Sequence, residues 1–168
     1  MEAEVQAKSD NVIQLKKNED ILRFRIADEN GNDTGNYLEF NLEDIELPLR
    51  YQDLVEKDKY NKQQLKNQYI IIEKKQDHKG KKLLSANEEA KIKAMRDFYL
   101  AEKEVYDMFL GKGGVDKLLN GREMSWGTLA EIDEIIEQAI LPKLQVNAEN
   151  IKNKIMQKYS PKRDDVIE

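Results

Sequence analysis

Two rhythms of apolar positions divide this chain. Leu22, Phe24 and Ile26 alternate with Arg23 and Arg25, the period of two expected of a half-buried strand. Leu38, Phe40 and Leu42 repeat the pattern against Tyr37, Glu39 and Asn41. Between them runs Asp28-Glu29-Asn30-Gly31-Asn32-Asp33-Thr34-Gly35, whose Asn-Gly step supplies the positive φ of a tight turn. Residues 21–42 are therefore predicted to form a β-hairpin. From there the rhythm becomes helical. Residues 44–76 predict one long helix, with Leu47, Tyr51, Leu54, Val55, Leu65, Tyr69 and Ile72 roughly on one face and Pro48 tolerated in the first turn. Its middle, 56–64, is polar apart from Tyr60, which predicts a stretch that projects into solvent or pairs loosely. The β-branched Ile70-Ile71-Ile72 run would also suit a strand; helix is the reading adopted. Ser85-Ala86-Asn87-Glu88 is a capping box that opens a second helix through Ile92, Met95, Tyr99, Glu102, Val105 and Phe109, closed by Gly111. Two helices of similar length joined over 77–85 predict an antiparallel helical hairpin across 44–110.

Residues 111–126 form an elbow. Gly111, Gly113, Gly114, Gly121 and Gly127 cluster there, beside Trp126, the only tryptophan. A short helix from Val115 to Asn120 is expected to fold Leu118 and Leu119 back onto Phe109. Ser125 can cap a last long helix with Trp126, Leu129, Ile132, Ile136 and Ile140 at helical spacing. Pro142 is expected to kink or divide it, since proline lacks the amide donor. Leu144, Ala148, Ile151 and Ile155 continue a thinner stripe until Ser160-Pro161. The fold class is thus mainly α with a small N-terminal β-hairpin (α+β): a long antiparallel helical hairpin plus C-terminal helices. Residues 1–20 read as a flexible leader, 21–160 as one domain and 161–168 as a charged tail. Phe109, Leu110, Val115, Leu118, Leu119, Trp126, Leu129, Ile132 and Ile136 are the candidates for clamping the fold or binding a partner.

Composition narrows the function classes. The 168 residues are 39 % apolar and 36 % charged, against usual values of about 45–50 % and about 25 %. Such a chain builds a thin core and carries leftover stripe. Its net charge of −5 disfavours a dedicated nucleic-acid footprint. There are no cysteines, which fits a reducing cytoplasm. No run approaches a membrane span, and the first 20 residues lack a signal-peptide core. Lys74, Lys75, Lys79, Lys81 and Lys82 make a basic loop without P-loop spacing. Gly111-Lys112-Gly113-Gly114 follows a helix, whereas phosphate cradles follow a strand. The hairpin turn lacks the distal bidentate Glu of a calcium loop. His78, the only histidine, has no nucleophile or second imidazole near it in sequence. No paired carboxylates stand isolated among apolar residues. No catalytic residue, metal or cofactor is expected, and the chain reads as a non-enzyme.

The segment Met108-Phe109-Leu110-Gly111-Lys112-Gly113-Gly114-Val115-Asp116-Lys117-Leu118-Leu119-Asn120-Gly121 resembles the tail assembly chaperones of long-tailed bacteriophages that infect Gram-positive bacteria. The plan over about 21–160 is similar to theirs: strand pair, charged helices, a helix ending in an aromatic-Leu-Gly turn, and an Ile-rich helix reaching Pro142. The specific part is 105–142. The family commonly has Thr/Ala-Ser where Gly114-Val115 stands, and Gly-Asp near Asn120-Gly121. The resemblance implies a non-enzymatic protein of the host cytoplasm that binds the tape measure protein, recruits tail tube subunits, and is usually absent from the finished particle. It implies no catalytic residues, and longer forms of the family arise by ribosomal frameshifting. The residues alone also leave open a homo-oligomer, a structural particle component pairing through the hairpin edge, and a small adaptor or regulator using the basic loop 74–82.

Overall fold

The computed structural model of the protein describes residues 11–15 and 20–159. The masses of the leader and tail readings, 1–10, 16–19 and 160–168, lie outside the described residues. β1 (Ile21–Ala27) and β2 (Asp33–Asn41) pair antiparallel, with Leu22 opposite Phe40 and Phe24 opposite Leu38. Asp28 builds the turn: its Oδ1 accepts the backbone amides of Asn30 and Asn32 at 2.9 and 2.8 Å, and Gly31 takes φ +79°. The second strand starts earlier than the 38–42 alternation implied, because a register shift near Ala27 absorbs extra residues and Thr34 Oγ1 donates to the Ile26 carbonyl at 2.8 Å.

α1 (Leu47–Glu73) and α2 (Ala86–Leu110) form the long hairpin. Ser85 Oγ accepts the Glu88 amide and Glu88 Oε2 accepts the Ser85 amide, closing the capping box. Three cross-helix contacts fix the antiparallel sense: Glu73 with Lys91 at 3.0 Å, Asn61 with Glu102 at 2.8 Å, and Lys57 Nζ against the Met108 sulfur at 3.6 Å. Residues 70–72 are helical, with Ile72 buried and Ile71 exposed.

Of the two arrangements its composition allowed, projecting into solvent or pairing loosely, the polar middle of α1 stays paired with α2. Leu47, Tyr51, Leu54, Asp58, Asn61 and Leu65 follow alternating steps of four and three, with Ile72 one full seven-residue repeat beyond, the seam of a two-helix pairing. Asp58 and Asn61 occupy seam positions and meet Glu102 from α2. The helices stay together there because this layer is polar on both sides.

α3 (Gly114–Leu119), α4 (Trp126–Ile135), a π turn (Ile136–Ile140) and α5 (Leu141–Tyr159) complete the fold. The division expected at Pro142 takes the form of the π turn. Leu141 N–H bonds the carbonyl of Ile136, five residues back. The widened turn lets helix continue past a residue that has no donor and whose ring crowds the preceding carbonyls. The core runs from Ile26, Leu38 and Phe40 of the hairpin, through Phe98, Val105 and Phe109, to Leu129, Ile132, Ile136 and Ile140.

Gly114 sits where α3 starts against the end of α2. A Cβ there would stand 2.7 Å from Leu110 Cβ and 3.4 Å from Leu38 Cδ2. Gly114→Ala is expected to destabilise the protein by about 1–3 kcal/mol through overpacking, read as a lower urea midpoint with an unchanged m-value. An unchanged midpoint would show that α3 can shift freely.

Candidate functional site

The elbow is a buried joint. Gly111 and Gly113 adopt φ +96° and +72°, which reverse the chain between α2 and α3. Asp107 Oδ1 accepts the Val115 amide at 2.9 Å and so satisfies a free donor of the short helix. Eight of the nine candidate residues come together around it. Phe109, Leu110, Val115, Leu119, Leu129, Ile132 and Ile136 are buried, and Leu118 packs half-buried on them. Trp126 is the exception and corrects the expectation of a buried clamp. It remains 54 % exposed, with one edge against Phe98 at 5.5 Å between ring centroids. Its place in the first turn of α4 turns most of the ring outward.

Of these nine, Phe109 and Leu119 reach concave surfaces, Leu119 in a hollow between α2 and the elbow and Phe109 in a more apolar groove. The Phe109 ring meets Phe40 and Tyr51 at 5.5 and 5.6 Å and helps to line this groove of about 400 Å³. The connection from β2 to α1 supplies Leu42 and Ile45, and the first turns of α1 supply Leu47 and Tyr51. α5 closes the far side with Leu141, Leu144 and Met156. Glu43 and Asp44 stand at one rim and Lys152 at the other. Ile45 is 79 % exposed and Met156 58 % exposed, so the apolar lining continues onto the surface. An apolar trough with a charged rim is the form of a helix-receiving groove. It forms where the β2–α1 connection and the first turns of α1 face α5.

The second concentration of chemistry is centred on a buried carboxylate. Glu102 has no exposed surface, although it lies on the stripe of α2. Asn61 Nδ2 donates to its Oε1 at 2.8 Å. Its Oε2 and Asp58 Oδ1 are both buried without any other donor. Burial first, then the hydrogen bond to Asp58, pushes the Glu102 carboxyl up to about 8. One proton shared between Glu102 Oε2 and Asp58 Oδ1 satisfies both oxygens. Lys62 donates to Asp58 Oδ2 at 3.0 Å. Burial would lower the Lys62 ammonium, but the hydrogen bond and charge of Asp58 outweigh it, and it is raised. Tyr106 is buried one turn on and donates to Asp133 of α4. Its phenol is raised by burial and then by that bond. The expectation that no paired carboxylates stand among apolar residues is therefore corrected. They lie on different helices, 44 positions apart in Asp58 and Glu102, so spacing along the chain could not reveal them. Glu102 itself is out of solvent, while Asp58 and Lys62 at the edge of the layer stay part-exposed, and the contacts tie α1 to α2 and, through Tyr106 and Asp133, α2 to α4.

The basic loop 74–82 has its backbone held near Asp77, while Lys79, Lys81 and Lys82 stay exposed. Asp77 Oδ1 accepts the amides of His78 and Asn87, and Asn87 Nδ2 donates to the Lys75 carbonyl at 3.0 Å. The Asn87 amide first, with Ser85 and His78, holds the Asp77 carboxyl below the ordinary range. Among the described residues no group of three acidic, histidine or cysteine side chains is arranged to hold a metal, and no helix is long and apolar enough to cross a membrane.

Fold and site together define a mainly helical protein with an apolar groove at the open end of a helical hairpin. No protein-family model, no curated protein and no solved structure matches the chain.

Proposed function

We propose that the protein is a non-enzymatic assembly chaperone whose α1–α5 groove seats an apolar helical segment of a partner. The observation that carries this reading is the groove itself, with Phe109 and Tyr51 in its floor and the exposed Ile45 and Met156 at its edges. An amphipathic helix offers apolar side chains at three- and four-residue steps, which suit a trough of this shape. The resemblance at 105–142 gives the partner its class: the tape measure protein of a phage tail, a long helical chain that needs cover for its stripe before assembly. Recruitment of tail tube subunits, in the host cytoplasm, would then act through another face.

The test is co-expression with the neighbouring tape-measure-like protein. Wild type is expected to keep it soluble in a complex. Ile45→Asp with Met156→Asp is expected to release it to the pellet with the melting temperature nearly unchanged, since both side chains are mostly exposed. A partner equally soluble without the chaperone would sink the functional reading. A double variant that still forms the complex would move the site elsewhere on the molecule.

A further inference from the structure

The groove has an apolar neighbour within the same chain. Val12, Ile13 and Leu15 are 77 %, 97 % and 91 % exposed, three large apolar side chains in four positions with no cover. The leader joins the fold at the groove. The Leu42 amide donates to the Asp20 carbonyl at 2.8 Å, and Leu42 is a lining residue of the trough. Ile21 then pairs with Asn41, so the chain is anchored at this point. Leu15 and Asp20 are five peptide steps apart, which lets Leu15 lie up to about 18 Å from the anchor. A segment held this close to its site acts at an effective concentration in the millimolar range for a short tether. A weak intrinsic fit is then enough to fill the groove.

We propose that residues 12–15 are an internal occupant of the α1–α5 groove, covering it until a partner helix displaces them. The inference rests on the groove being the partner site, and it adds the regulation of that site. Ile13 and Leu15 would enter the trough against Tyr51, Phe109 and Leu144, while the anchor at Asp20 keeps the segment at the rim. An empty groove exposes apolar lining that would also attract a second copy of the chain. A tethered occupant removes that liability and sets a threshold that only a better-fitting helix passes.

The absence of native cysteine gives a clean test on the full chain. Gln14→Cys carries a nitroxide spin label, and methyl NMR reads the distance-dependent broadening. The methyl signals of Leu144 and Met156 are expected to lose most of their intensity. The methyls of Leu83 and Ile92, on the loop and on α2, are expected to keep theirs. Adding Ile13→Asp and Leu15→Asp to the labelled chain is expected to restore the groove signals. Groove signals that stay sharp in the labelled parent chain would overturn the proposal. So would broadening that appears only when labelled chain is mixed with unlabelled, isotopically marked chain, because the occupant would then be a second copy. Neither outcome involves the partner. A failure here leaves the co-expression result standing, and a failure of co-expression leaves this one standing.

Discussion

Phe109→Ala is expected to lower the unfolding free energy by about 3–5 kcal/mol, the usual range for a buried phenylalanine. The side chain is 4 % exposed and touches the hairpin through Phe40 and α1 through Tyr51. Its removal leaves a void at the point where β2, α1 and α2 meet, and the Gly111 turn beside it limits how far the walls can collapse. A domain with a core this thin has little reserve against such a loss. Trp126→Ala provides the contrast. It forfeits one edge contact with Phe98 and a partly buried ring, and an aromatic pair contributes about 0.5–1.5 kcal/mol beyond its area. Urea unfolding of the two variants should therefore rank them clearly, with Phe109 far costlier. Equal losses would mean that the tryptophan, and not the phenylalanine, is the joint's anchor.

Glu102→Gln is expected to flatten the dependence of stability on pH. An acid whose folded-state pKa lies above its unfolded value holds its proton more tightly in the folded protein. Below the ordinary value of 4.5 both states carry the proton and the contribution is complete. As pH rises the unfolded chain releases it first, so stability falls, and the loss is complete once the pH passes about 8. The difference is on the order of 5 kcal/mol across that window. Glutamine reproduces the protonated arrangement at every pH: its Oε1 accepts from Asn61 and its amide donates to Asp58 Oδ1. Urea midpoints measured from pH 5 to pH 9 are expected to fall for wild type and to change much less for the variant. Parallel curves would show that Asp58 and Glu102 do not share a proton.

The hairpin of strands, the hairpin of helices and the elbow were legible in the sequence because each rests on local signals. Alternation marks Leu22 to Ile26, a capping box marks Ser85, and positive-φ glycines mark Gly111 and Gly113. The cluster around Val115 followed from helical spacing. Trp126 misled because a lone tryptophan at helical spacing looks buried, whereas the first turn of a capped helix leaves one side open. The groove left little trace. Ile45 stands alone between Asp44 and Glu46, Leu144 belongs to a thin stripe about a hundred residues away, and Met156 lies beside that stripe and not on it. Its walls meet only in the folded chain. The polar layer did leave a signal. Stepping along α1 by fours and threes puts Asp58 and Asn61 in line with Leu54 and Leu65, and Glu102 already stood on the stripe of α2. Polar residues in a seam read as a gap until the facing helix is seen to fill it.

The most direct test of the groove as a partner site is methyl NMR of the full chain in complex with its co-purified helical partner. The methyls of Leu42, Ile45, Leu144 and Met156 are expected to shift and to show contacts with the partner's apolar side chains, while Leu83, Ile92 and Leu100 stay in place. Contacts confined to Ile92, Leu100 and Trp126, with the groove signals unmoved, would contradict it.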